Sequence, residues 1–292
     1  MKNDRPATVY VIEPGAFPDP RLVTFGYRDF SYVQTLEWGR HRGPELTFMV
    51  DGGVCWELEH GETHSLVGNH VSIIASGIRH RAKDNLQSPS RMYWLRLSPW
   101  NDDLPPLNDH DRWRWQLLDR SGVWPMNRFS LALLKRAGEL LASQANHPAP
   151  ASLAHLAALL DTLLHEICLI IHNAEQPNPS PSVQSYIQAA CNYIDSRLPA
   201  PVTVSELADV LGLSKSYTQR IFKESTGMRI QDYLQRKRLE YAGKCLRETD
   251  LTVAEIARRL HLSSGQYLSR LFRQYFGISP GAYRHRYRHP QE

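Results

Sequence analysis

Two short stretches carry side chains suited to recognising a polyanion and its base edges. Lys215, Ser216, Gln219, Arg220 and Lys223 form one set, and Ser264, Gln266, Ser269, Arg270 and Arg273 the other. Spacings of three and four residues put each set on one face of a helix. Guanidinium groups pair bidentately with guanine, amides with adenine, and cations with phosphates, so such a face suits the major groove of duplex DNA. The chemistry is recognition, and no enzymatic activity is expected of these residues.

The elements that must hold the two sets repeat along the chain. Thr203-Val-Ser-Glu-Leu-Ala208 matches Thr252-Val-Ala-Glu-Ile-Ala257 at an offset of 49, and after one extra residue Arg220, Phe222, Gly227 and Tyr233 match Arg270, Phe272, Gly277 and Tyr283 at 50. Each copy opens on a Thr-x-x-Glu capping box, Thr203 with Glu206 and Thr252 with Glu255, that satisfies the first turn's amides. Leu207, Ala208 and Leu211 share one face of a support helix, as do Ile256, Ala257 and Leu260, and the small alanine admits a second helix at a steep angle. Gly212 turns the first copy through the left-handed region, and Ser214 caps a recognition helix to about Ser225 with Tyr217, Ile221 and Phe222 inward. In the second copy His261 stands in the glycine's place, and Ser263 is expected to open a helix that buries Tyr267, Leu271 and Phe272. A last helix is expected from Ser279-Pro280.

Between the copies Ile230–Leu246 holds no proline, and 17 helical residues span about 26 Å. Major grooves recur about every 34 Å along one face of the duplex, so a stiff connector of this length could seat both recognition helices in successive grooves of slightly bent DNA. The charge distribution agrees. From Ser180 onward there are 17 Lys and Arg against 10 Asp and Glu, and the preceding residues carry 17 against 20. The competing expectation is a helical protein-binding domain whose Arg220 and Arg270 make surface ion pairs.

The N-terminal part reads differently. From Val9 to Leu97, β-rich runs (Leu46–Val50, Val54–Leu58, Val71–Ile74, Met92–Leu97) alternate with glycine-containing turns, which predicts an antiparallel sandwich or small barrel. Helical periodicity follows Pro105-Pro106. Its stripe Leu153, Leu156, Leu160, Leu163, Ile167, Ile170 either caps the β-domain or meets a second copy, and a homodimer is expected through it. The proline-rich stretch Asn173–Pro181 is the expected hinge. The fold class is therefore α+β: a β-domain over 1–105, a helical segment over 106–175, a linker over 176–182, and an all-α domain with two helix-turn-helix units over 183–292.

Trp38, Trp56, Tyr93 and Trp94 are expected in strands, and their ring faces beside Arg40, Glu45 and His80 suit a small polyhydroxylated ligand such as a sugar. The plain alternative is that these aromatics are core. His41, Glu45 and His80 are candidate metal ligands by type, but the Gly43 interruption and the closeness of Glu45 argue against a metal, so no metal and no cofactor are expected. Cys55, Cys168, Cys191 and Cys245 lack any CxxC spacing and read as reduced thiols. No stretch apolar over about 18 residues is read from the sequence, and Met1–Tyr10 lacks an apolar leader core, so a cytoplasmic location without membrane insertion is expected.

The segment from Val183 to Arg288 resembles the AraC/XylS family of bacterial regulators. The resemblance is carried by Leu213-Ser-Lys-Ser-Tyr-Thr-Gln-Arg-Ile-Phe-Lys223 and by Tyr267-Leu-Ser-Arg-Leu-Phe-Arg-Gln-Tyr-Phe-Gly-Ile-Ser-Pro280 with Tyr283-Arg284. It implies seven helices, binding to asymmetric DNA sites, contact with RNA polymerase or looping, and base reading by Ser216, Gln219, Arg220, Gln266 and Arg270. Thr218, Gly265 and His261 depart from the family pattern. Gly68-Asn-His-Val-Ser-Ile-Ile-Ala-Ser-Gly77 with Arg79-His80 resembles the family's cupin-like sensor. Together these imply a metabolite-responsive transcriptional activator. The rivals are a cupin-type metalloenzyme with a helical accessory domain, and a regulator whose β-domain binds no small ligand.

Overall fold

The computed structural model describes residues 8–99, 109–144, 149–175 and 183–288. It divides into two compact units, residues 1–31 with 35–179 and residues 32–34 with 180–292. The expected linker over 176–182 and the boundary at Pro105-Pro106 lie outside the described residues.

In the first unit β1 (Thr8–Ile12), β2 (Leu22–Phe30), β10 (Ser90–Leu97), β4 (Glu45–Asp51), β7 (His70–Ile74) and β11 (Gly122–Pro125) form a six-stranded sheet in that spatial order. All its pairs are antiparallel. A second sheet orders β6 (Thr63–Val67), β5 (Gly53–Leu58) and β8 (His80–Ala82), and β3 (Gln34–Thr35) pairs with β9 (Leu86–Gln87). Strand alternation gives the large sheet two buried faces. Leu46, Phe48, Val71, Ile73 and Leu95 enter a core shared with helices, whereas Met49, Ile74 and Met92 meet Val54, Trp56 and Leu66 of the small sheet. The result is a sandwich with a helical layer outside it.

That layer is α1 (Asp109–Leu118), α2 (Arg128–Gln144) and α3 (Pro150–Ala174). Strand β11 was not expected within the helical stretch. It adds to the sheet through antiparallel register with β7, Gly122 opposite Ile73 and Trp124 opposite Val71. The α3 stripe corrects two expectations. By length and composition α3 is apolar enough to cross a membrane, contrary to the sequence reading. Leu153, Leu156, Leu160, Leu163 and Ile167 are instead buried in the unit's own core. Of the two uses foreseen for the stripe, it caps the β-domain, and burial explains its apolarity.

The second unit holds seven helices among the described residues: α4 (Val183–Arg197), α5 (Val204–Leu211), α6 (Lys215–Thr226), α7 (Ile230–Glu248), α8 (Val253–Arg259), α9 (Gly265–Phe276) and α10 (Pro280–Arg288). Both capping boxes are formed: Thr203 Oγ1 accepts from the Glu206 N–H and Glu206 accepts from the Thr203 N–H, and Thr252 and Glu255 do the same. Their carboxyls are consequently held below the ordinary glutamate value by those backbone hydrogen bonds. At 19 residues, α7 spans about 28 Å. Its C-terminal carbonyls are held by α10, where Arg284 Nε donates to Leu246 O (3.2 Å) and Arg288 Nε to Arg247 O (3.0 Å).

Candidate functional site

The two α5–α6 and α8–α9 helix pairs turn alike. Gly212 sits at φ 65° and His261 at φ 53°, and the following N–H groups of Leu213 and Leu262 donate to Ala208 O and Ala257 O, both at 2.9 Å. Left-handed backbone suits glycine and is tolerated by histidine. The second turn is one residue longer, and the insertion is Ser263. The cap of α9 is therefore Ser264, whose Oγ accepts from the Tyr267 N–H at 3.1 Å, as Ser214 accepts from Tyr217 in α6. The expectation that Ser263 opens this helix is corrected.

Lys215, Ser216, Gln219, Arg220 and Lys223 are all exposed on α6, and Gln266, Arg270 and Arg273 on α9. Two serines differ from these. Ser264 is occupied in capping, and Ser269 Oγ donates to Gly265 O at 2.8 Å. The buried faces include Ile221, Phe222, Leu271 and Phe272 as expected, but each tyrosine gives way to the residue after it. Thr218, Ile221 and Phe222 are buried on α6, and Leu268, Leu271 and Phe272 on α9. Tyr217 and Tyr267 are only half-buried. Thr218 fits the site of Leu268 by turning its hydroxyl to Ser214 O at 3.0 Å.

The two tyrosines have another use. The Arg220 guanidinium lies 5.1 Å from the Tyr217 ring centroid, and Arg270 lies 5.2 Å from that of Tyr267. Each ring narrows the conformations of a flexible cation by a cation–π contact. The i, i+3 spacing of each pair is present in the sequence, where the tyrosines read as core residues. Gly265 also has a structural reason. A Cβ there would stand 3.2 Å from Ala254 Cα and 3.3 Å from Ala254 N, so glycine lets α9 start against the beginning of α8.

Between the pairs, α7 carries a partly buried charged network that reaches α9. Arg236 Nε donates to Glu240 Oε1 at 2.8 Å, and the Tyr275 hydroxyl of α9 reaches the same oxygen at 3.1 Å. Gly243 lies against Phe276 and Tyr283, a close approach for which its missing side chain leaves room.

In the β-unit the structure brings Glu45 and His80 together, with His41 and Arg96 beside them. Glu45 is buried; its Oε2 is 2.6 Å from His41 Nε2 and accepts from Arg96 Nε at 3.0 Å. Burial alone would raise the Glu45 pKa, but the His41 hydrogen bond and the neighbouring positive charges turn the shift downward. Burial lowers the pKa of His80, and Glu45 opposes it. Trp56 is buried, donates its indole N–H to Ser72 Oγ at 3.0 Å, and stands edge-on to His80 with centroids 5.5 Å apart. Arg96, absent from the sequence candidates, stands opposite Glu45 in the register of β10 on β4, a long-range pairing that spacing does not reveal.

The remaining candidate ligands are more dispersed. Trp38 lies outside any strand, contrary to expectation, and is 38% exposed with Arg79 and Arg81 over its ring. Arg40 is exposed beside Gly77. Trp94 covers Gly26 and meets Arg28 at 5.6 Å.

A paired helical frame with exposed cationic and amide faces defines a DNA-binding transcriptional regulator of the helix-turn-helix class, and the sequence comparisons agree. A family model described as a helix-turn-helix domain matches residues 207–286. The regulatory protein SoxS of Escherichia coli K12 is 37% identical over 105 residues, 36% of this chain and 98% of that protein. The HTH-type transcriptional activator AarP of Providencia stuartii is 33% identical over 34% of this chain and 74% of its own length. Among solved structures, an AraC-type transcriptional regulator from Chromobacterium violaceum is 25% identical over 37% of this chain and 96% of its own, with a TM-score of 0.35. The DNA-binding domain of AdpA in complex with a target DNA is 30% identical over 36% and 97%, with a TM-score of 0.33. The chain belongs to the AraC/XylS family of transcriptional regulators.

Proposed function

We propose that this regulator grips DNA with two helix-turn-helix units, α5–α6 and α8–α9, and activates transcription in response to a small metabolite. The observation that carries the DNA reading is the duplicated geometry, in which each unit exposes an arginine over a tyrosine on its second helix. Ser216, Gln219, Arg220, Gln266 and Arg270 read base edges in this proposal. Lys215, Lys223 and Arg273 hold phosphates, while Ser264 and Ser269 act through their caps and backbone contacts.

The cupin-like β-unit is the proposed sensor, and Trp38, Arg40, Glu45, Trp56, His80 and Trp94 are the groups offered to a sugar-like effector. The polar cluster around Glu45 supports a ligand with hydroxyl groups. Activation is proposed after the relative AarP, a transcriptional activator by name, and contact with RNA polymerase is the proposed means, on the family resemblance alone. Pairing of two copies belongs to the same proposal but needs a surface other than the buried α3 stripe.

Selection of bound fragments from random duplexes tests the DNA part. Arg220→Ala and Arg270→Ala should each relax preference at different bases, at about 1–3 kcal/mol per bidentate contact. Binding of no duplex at low ionic strength would end the proposal. Calorimetry against a metabolite panel tests the sensor, and heats identical for wild type and Glu45→Gln would reject the assigned pocket.

A further inference from the structure

We propose that His41, Glu45 and His80 bind one divalent transition-metal ion in the β-unit. Sequence spacing alone disfavours a metal, whereas the folded chain brings the three side chains together. Each residue offers one ligand atom, and the three atoms lie within 4.8 Å of one another. Metal bonds to imidazole and carboxylate are about 2.0–2.2 Å long, so three such donors can reach a common centre with modest side-chain adjustment.

The surroundings have the features of a prepared site. His80 Nδ1 lies 3.1 Å from Ile78 O, a partner that fixes this nitrogen as the donor and leaves Nε2 with a lone pair for a metal. The His80 backbone is pinned by two reciprocal hydrogen bonds with Gly39, at 2.8 and 3.0 Å. Trp56 walls the ring edge-on. Arg96 Nε and His41 Nε2 both meet Glu45 Oε2, so an ion between the three side chains would replace the hydrogen bond between His41 and Glu45 while Arg96 keeps its hold on the carboxylate.

Two imidazoles and one carboxylate suit Zn²⁺ or Fe²⁺, and three protein ligands leave coordination positions open. On the proposed sensing function, those positions would take oxygens of the effector, which deepens that reading without being required by metal binding itself.

The test uses the full chain, stripped with a chelator and titrated with Zn²⁺, Co²⁺ and, anaerobically, Fe²⁺. Calorimetry and elemental analysis after gel filtration should give one ion per chain, and Co²⁺ should give a visible spectrum of a low-symmetry nitrogen and oxygen site. His41→Gln and His80→Gln should each weaken Zn²⁺ binding by about 100-fold or more, while Arg96→Gln, an outer partner, should change it by about 10-fold. His60→Gln, on an exposed turn, should leave binding unchanged. His41 is half-buried at its site, so His41→Gln keeps the test decisive even where His80→Gln disturbs folding. Absence of a stoichiometric ion with all three metals, or Zn²⁺ binding unaltered in His41→Gln, overturns the proposal. DNA affinity measured with and without Zn²⁺ reads the sensor separately: stoichiometric metal with unchanged DNA affinity, with and without candidate metabolites, keeps the site and rejects the sensing function.

Discussion

Replacing Glu240 by glutamine should loosen the packing of α7 against α9, by an amount the geometry sets. The Arg236 side chain is 10% exposed, its Nε donates to Glu240 Oε1, and its Nη1 is buried without a hydrogen-bond partner among the described residues. Removing one member of a fully buried ion pair costs about 3–5 kcal/mol. Glu240 is one-third exposed, so water recovers part of that, and about 2 kcal/mol remains. For a domain of roughly 100 residues this is a fall of about 10 °C in Tm. All seven tryptophans precede Val183, so tryptophan fluorescence follows the β-unit alone, and because α1–α3 add helix to that unit, the far-UV circular dichroism transition without a fluorescence counterpart is the one that reports the helical unit. The dichroism transition should fall by that amount, and the double variant Arg236→Met/Glu240→Gln should recover most of it, since no buried charge is then left unpaired. A shift under 0.5 kcal/mol for the single variant, or additive losses in the double, would refute the reasoning.

Other outcomes follow from features already described. The Glu206 and Glu255 carboxyls titrate below their unfolded value, so the stability they supply is present above about pH 4.5 and is lost as pH falls through their folded values; the double Glu→Gln variant should flatten the acid limb of the unfolding midpoint against pH. Gly265→Val should destabilise the helical unit by about 1–3 kcal/mol, because its Cβ meets Ala254 backbone, and chemical denaturation would show it. Tyr217→Leu and Tyr267→Leu should each weaken DNA binding about 2- to 5-fold through lost arginine pre-orientation, as seen by fluorescence anisotropy, with thermal stability little changed. Lys223→Ala should lower the slope of log affinity against log salt by about 1 without altering base preference.

Much of the helical unit was legible because its signals are local. Capping boxes, a turn glycine and a 3.6-residue period each act within a few residues, and Thr203, Gly212 and Thr252 do in the structure what their types require. The errors there were of phase. Ser263 and Ser264 are adjacent and chemically identical as caps, and only the bond to Tyr267 separates them. Thr218 looks polar in sequence, yet its hydroxyl is satisfied by its own helix and so permits burial. The β-unit was legible as strands but less so as a site. Glu45, His80 and Arg96 meet through long-range register, which no spacing reveals, and β11 joins the sheet from inside a helical stretch. The α3 stripe could not announce its partner, because a buried core helix and an association helix carry the same periodicity.

The single inserted residue at Ser263 makes the duplicated units related but not interchangeable. A duplicated part with one altered joint is a polar object, with a distinguishable front and back. On the proposed two-unit grip, one copy of the chain would carry a sense of direction along the double helix, and a target sequence turned end for end would present each reader with the wrong half.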